Sequence, residues 1–257
     1  MMLLNSELDL FPENILIEKF NASHIQRLFV VGDLHGCYVE LMDQLSVINF
    51  DYSTDLLISV GDLIDRGRDS LKCLELTKEP WFKAIRGNHE QMCLEAKLAS
   101  EMISVHCQHG GEWLYRLPFA VQLDCLDLCR NLPIILEVNF KGKLYGFVHA
   151  DIYLNDWENF KKSISYKDYF TNINTSALYH ALWGRSRISQ DEQSKQYHTV
   201  NGIDEIYLGH TVVQLPVQIQ NCFYIDTGIV IGRKLTNWIR NLKFITYSLL
   251  DFILLLR

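Results

Sequence analysis

The chain has 257 residues, 24 basic against 31 acidic for a formal charge of −7, and it is 48% hydrophobic. That share supports one sizeable core, so a single main domain is expected, and the acidic balance argues against a nucleic-acid binder. Seven cysteines, an odd number scattered through apolar stretches, argue against a zinc cluster and suit reduced thiols in a reducing compartment.

Met1 to Glu13 carries no basic region, and Glu7 and Asp9 interrupt its apolar residues. It is not expected to be a signal peptide, and a cytoplasmic location is expected. Leu28 to Val31 then reads as a buried strand that ends in Gly32-Asp33-Leu34-His35-Gly36. Tyr38 to Val47 has apolar residues at helical spacing, and Leu56 to Val60 is a second strand-like run before Gly61-Asp62-Leu63-Ile64-Asp65-Arg66-Gly67. Ser70 to Lys78 again has helical spacing, and Phe82 to Ile85 leads into Gly87-Asn88-His89-Glu90. Strand, helix and strand alternate, which is a βαβ pattern. Open α/β sheets gather ligands beyond the carboxyl ends of their strands, where Asp33, Asp62 and Asn88 would all emerge. Two later strand-like runs close in the same way, Tyr145 to Val148 before His149 and Ile206 to Gly209 before His210. Asp and neutral His suit divalent transition metals, Asn adds a neutral oxygen, and the flanking glycines let the backbone turn sharply. Together the blocks read as a two-metal phosphoesterase centre.

These blocks, in this order, resemble the phosphoprotein phosphatase family. Trp81-Phe82, Gly110-Gly111-Glu112-Trp113 and Leu182-Trp183-Gly184-Arg185 make the text most similar to its bacteriophage lambda type, over roughly residues 28 to 236. The resemblance implies a calcineurin-like metallophosphoesterase fold of the α/β class, a central β-sandwich flanked by helices with a dimetal site at the strand ends. It also implies the pairing of ligands: Asp33, His35 and Asp62 on one ion, with Asp62 bridging to a second held by Asn88, His149 and His210. Manganese is the expected metal, with iron and zinc as alternatives. Hydrolysis of phosphomonoesters would proceed by direct attack of a metal-bound hydroxide. His89 is the expected general acid and Asp65 its orienting carboxylate. Arg66 and Arg185 are expected to clamp phosphate, with Arg187 competing for the second place, and Asn88 also lies in the substrate-binding set. His109 is expected at the rim.

The leading expectation is a serine/threonine protein phosphatase acting on a phosphoprotein or phosphopeptide, with phosphotyrosine left open. A dinucleoside polyphosphate hydrolase is the alternative; a non-catalytic phosphatase-like binding protein would lack a ligand or clamp, and none is missing. Asp151 to Val200, polar and aromatic, is expected to form a rim above the metals that sets substrate preference. Residues 1–27 are expected to be an extension of the 28–236 domain, and 237–257 an atypical apolar tail. That tail follows a basic stretch and ends in Phe244 to Leu256, too short and too polar for a normal membrane span. A membrane interface, a packed terminal element and an altered reading frame all remain open for it. No signal in the chain sets an oligomeric state.

Overall fold

The computed structural model describes residues 16–167, 169, 170, 175–189 and 197–229, together with the backbone of 253–256. The first half of the chain contains β1 (Ile17–Asn21), β2 (Arg27–Val31), α1 (Tyr38–Val47), β3 (Asp55–Ser59), α2 (Ser70–Glu75), β4 (Phe82–Ala84), α3 (Asn88–Leu98), α4 (Ser100–Gln108) and α5 (Glu112–Tyr115). The second contains α6 (Phe119–Arg130), β5 (Ile135–Phe140), β6 (Lys143–Val148), α7 (Trp157–Ser163), α8 (Ala177–Trp183), β7 (Glu205–Leu208), β8 (Val217–Ile219), β9 (Cys222–Tyr224) and β10 (Ile253–Leu256).

The strands form two sheets, ordered β10-β2-β3-β4 and β1-β5-β6-β7-β9-β8. β2, β3 and β4 run parallel, as the βαβ pattern requires, and β10 joins β2 antiparallel. In the larger sheet β5 and β6 form an antiparallel hairpin. Its two-residue turn, Lys141-Gly142, has φ of 50° and 78°, the left-handed pair that matches strand twist.

Alternation along these strands sorts side chains into two layers. Leu28, Val30, Leu56 and Ile58 from the smaller sheet meet Leu136, Val138, Phe147, Tyr207 and Phe223 from the larger one, which makes the interior of a sandwich. The intervening residues Phe29, Val31 and Leu57 face the other way and join a cluster with Leu41, Leu45, Cys73 and Leu74 from the helices. On the larger sheet Ile206, Leu208 and Tyr224 join the same outer cluster as Trp157, Phe160, Leu178 and Leu182. The result is the expected α/β fold with helices outside a β-sandwich. Burying each large apolar side chain in these layers contributes about 1.5–3 kcal/mol.

Within residues 1–27, expected as an extension, Ile17–Asn21 pairs in parallel with β5 as an edge strand of the larger sheet. Its mixed pattern, with Glu18 and Lys19 between apolar neighbours, hid it from a search for continuous apolar runs. Asp151 to Val200 is not only a rim: α7 and α8 lie in it and bury Trp157, Phe160, Leu178 and Leu182. Asp156 and Ser176 cap these helices by accepting the N–H groups of Asn159 and Tyr179. Of the apolar tail, Ile253–Leu256 supplies the backbone of β10, and the rest lies outside the described residues. No helix among the described residues is long and apolar enough to cross a membrane.

Candidate metal centre

The loops that follow β2, β3, β4, β6 and β7 meet at one end of the sandwich. Two groups of ligand-type side chains converge there: His35, Asp62 and His89, and Asp62, His149 and His210, each with atoms within 4.8 Å of one another. Asp62 belongs to both. One of its oxygens lies 3.5 Å from His35 Nε2, the other 3.4 Å from His149 Nε2. A carboxylate that offers one oxygen to each side is the geometry a bridging ligand needs. The convergence is backbone-driven, since a Cβ on Gly87 would come within 2.1 Å of Asp62 Oδ1 and one on Gly209 within 2.1 Å of Asp33 Oδ1. His35, Asp62, Asp65, Arg66 and His210 all adopt φ between 43° and 71°. Such left-handed conformations at non-glycine residues store strain that the surrounding packing must hold, and they gather at functional sites.

The donor set fits divalent transition metals. His35 Nδ1 faces the Ile64 carbonyl at 2.9 Å and His149 Nδ1 faces the Val60 carbonyl at 2.8 Å, so each ring donates there and turns a bare Nε2 inward. Burial lowers the proton affinity of three of these imidazoles, to about 4 at His35 and about 2 at His210, and likewise at His149. Neutral imidazoles are the form that binds metal. Burial would raise Asp62, but His149, His89 and His35 outweigh it and hold the carboxyl well below its usual range. Asn88, the first residue of α3, places Oδ1 2.9 Å from His149 Nε2 and 2.8 Å from His210 Nδ1. Asp33 enters through its neighbours: it accepts the backbone N–H of His210 at 3.0 and 3.2 Å and is hydrogen-bonded to Asp226. Burial first, then Asp226 and Asp62, push Asp33 up, and burial pushes Asp226 up to about 6.

A second arrangement stands beside these ligands. His89 Nδ1 lies 2.7 Å from Asp65 Oδ2, and its Nε2 faces the centre, 3.9 Å from Asp62. Burial lowers the proton affinity of His89, but Asp62 and Asp65 outweigh it and raise it above the ordinary value. Arg66 spans the mouth, one guanidinium nitrogen 2.8 Å from His35 Nε2 and another 2.9 Å from His89 Nε2. Glu90 accepts the backbone N–H groups of Asp62, Leu63 and Gly87 at 2.8–3.0 Å and so braces the loop that carries Asp62 to Arg66.

The two arginines that competed for one role separate by burial. Arg187 is fully buried and donates to the carbonyls of Ile152, Leu154 and His198 and to Asn155 Oδ1, which makes it a structural tie. Arg185 is exposed, and its charge acts on His149 and His210. His109 is also exposed, with its ring 6.2 Å from that of His89. Sequence reasoning missed Asp226, although Tyr224-Ile225-Asp226 repeats the strand-then-carboxylate signal of Asp33 and Asp62. The segment His106 to Trp113 was expected to bear on substrate preference, but the contact that His106, inside α4, makes with Asp65 was not.

The family model for calcineurin-like phosphoesterases matches residues 26–214. Serine/threonine-protein phosphatase 1 of Salmonella typhimurium is 39% identical over 88% of this chain and 96% of its own length. A symmetrical bis(5'-nucleosyl)-tetraphosphatase of Actinobacillus pleuropneumoniae is 35% identical over 48% of this chain and 44% of its own. The fold matches a protein serine/threonine phosphatase of Saccharomyces cerevisiae with a TM-score of 0.54 at 15% identity, covering 86% of this chain and 72% of that one. With Asp, His and Asn side chains gathered at the strand ends in a cluster suited to divalent metals, and a family match over most of its length, this chain belongs to the calcineurin-like phosphoesterases and is a hydrolase of phosphate esters.

Proposed function

We propose that the chain is a protein phosphatase that removes phosphate from serine and threonine side chains of a phosphoprotein, using two divalent ions, with manganese as the metal. The observation that carries this reading is the shared carboxylate of Asp62 between two ligand groups, with a carboxylate-backed imidazole at their edge. The similarity to serine/threonine-protein phosphatase 1 over nearly its whole length supports the substrate class.

When bound, the two ions supply an activated water and offset the charge of the phosphoryl oxygens. Asp33, His35, Asp62, Asn88, His149 and His210 would hold them. Arg66 reaches the mouth of the centre with two parallel donors, the geometry for gripping a phosphate, and Arg185 adds a second positive charge. With Arg66 turned from His89 Nε2 onto the phosphate, His89 carries a proton at Nε2 and gives it to the departing alkoxide, and Asp65 keeps Nδ1–H fixed so that Nε2 faces the substrate. Serine and threonine alkoxides are poor leaving groups, so a positioned acid matters most for them.

The match to a bis(5'-nucleosyl)-tetraphosphatase supports a second reading, hydrolysis of a dinucleoside polyphosphate, over about half the chain. Turnover with manganese on a panel of phosphoserine, phosphothreonine and phosphotyrosine peptides, set beside a dinucleoside tetraphosphate, tests both. Faster turnover of the dinucleotide than of every peptide would reverse the assignment. Seven thiols, all but Cys107 buried and none in a disulfide, are compatible with the cytoplasm as the proposed location.

A further inference from the structure

Asp65 is a meeting point that the acid role of His89 alone does not explain. Its buried carboxylate faces three side-chain nitrogens: His89 Nδ1 at 2.7 Å, Trp113 Nε1 at 2.7 Å, and His106 Nε2 at 3.0 and 3.2 Å from the two oxygens. His106 comes from α4 and is itself fully buried, and Trp113 comes from α5. The turn between these helices contains Gly110-Gly111. A Cβ on Gly110 would lie 2.5 Å from the Arg66 backbone nitrogen, and one on Gly111 within 2.3–2.5 Å of the His106 ring. The double glycine therefore lets this segment close directly onto the Asp65-Arg66 loop.

The second ring nitrogen of His106 is also engaged, with Nδ1 2.9 Å from the hydroxyl of Tyr115. One tautomer satisfies both ends: Nε2–H donates to Asp65 and bare Nδ1 accepts from the tyrosine. The ionised carboxylate only accepts, so it places the proton on Nε2, and Tyr115 holds the ring by donating to the bare Nδ1. Asp65 has φ of 71°, so the donors also hold a backbone conformation that the residue would otherwise leave.

We propose that His106 is a positioning residue for the reaction's acid: with Trp113 it locks the Asp65 carboxylate so that Oδ2 faces His89 Nδ1 and His89 Nε2 stays aimed at the leaving oxygen. This rests on His89 being the general acid. Burial would raise Asp65, but hydrogen bonds from His106 and His89 outweigh it and keep the carboxyl ionised, as an orienting group must be. His106 belongs to neither ligand group around Asp62.

The experiment uses the full chain with manganese and two substrates, a phosphoserine peptide and para-nitrophenyl phosphate, whose leaving group needs no acid. His106→Phe should lower kcat on the peptide by roughly 10–100-fold, the usual effect of losing such an orienting partner, with KM nearly unchanged. On the aryl phosphate the loss should stay within about threefold, since little proton transfer is required there. His106→Gln can present an amide N–H where Nε2 stood and should recover most of the peptide activity. Tyr115→Phe, which keeps the ring in place, should show the same substrate bias at smaller size and serves if the phenylalanine variant does not fold. Equal losses on both substrates, or no recovery in the glutamine variant, would overturn the proposal. His89→Asn is the control. If it too hits both substrates equally, the acid assignment falls and the proposal with it; if it keeps the bias while the His106 and Tyr115 variants lack it, the proposal alone falls.

Discussion

Asp62 has imidazoles of opposite proton affinity around it. His149, fully buried, and His210, half-buried, are held below the ordinary histidine value, whereas His89, as buried as His149, is held above it. The difference between His149 and His89 lies at Nδ1: His149 spends its Nδ1–H on a neutral carbonyl, Val60, while His89 Nδ1 meets the carboxylate of Asp65. His210 turns Nδ1 to the Asn88 oxygen, and its Nε2 has no hydrogen-bond partner among the described residues. A carboxylate partner stabilises the imidazolium and a carbonyl does so only weakly, so one residue type is fitted to bind metal in one place and to hold a proton in another.

The harshest test of this comparison removes the group both sides share. Asp62→Asn should abolish most turnover, on the order of 10³-fold or more if it deprives both ions of a ligand, since the metal pair supplies several kcal/mol of stabilisation. Metal content, read by elemental analysis, should fall with it; two ions retained at full activity would end the bridging role. His89→Asn should cost on the order of 10²–10⁴ in kcat on phosphopeptides while the metals stay bound. Loss of metal in that variant would make His89 a ligand like its neighbours.

Asp65→Asn sharpens the comparison through pH. A raised His89 is protonated below its folded pKa and loses its proton as pH rises through that value, so the alkaline limb of kcat on phosphopeptides reports it. Any stability from the raised affinity is likewise complete below the unfolded value near 6.5 and lost as pH rises through the folded one. Without the Asp65 charge the alkaline limb should move to lower pH; an unmoved limb would mean that another group titrates there. The arginines give the smallest effect on chemistry. Arg185→Ala should raise KM by roughly 10-fold with little change in kcat, the cost of one exposed charge-assisted contact. Arg187→Ala should instead lower stability by roughly 2–5 kcal/mol in a denaturant titration, because it strands buried carbonyl groups. A KM effect confined to Arg187 would reverse the two roles.

Local sequence carried far into this protein. Strand-forming runs ending before Asp33, Asp62, Asn88, His149 and His210 announced the parallel βαβ course of β2, β3 and β4 and the side chains that gather beyond the strand ends of both sheets, because each strand delivers its next residues to the same rim. Helices α1 and α2 were legible from apolar spacing for the same local reason. β1 was not, since an edge strand with one polar face has no continuous apolar run, and its pairing with β5 spans more than a hundred residues.

What the chain's own pattern determined is the set of groups able to bind metal and the strands that present them. Only the folded structure showed which arginine is buried, that the imidazole expected as the acid is backed by Asp65, and that His106, Trp113 and Tyr115 stand behind that carboxylate. Proton affinity, burial and hydrogen-bond partners depend on atoms brought together across long stretches of chain, and spacing along the backbone does not encode them.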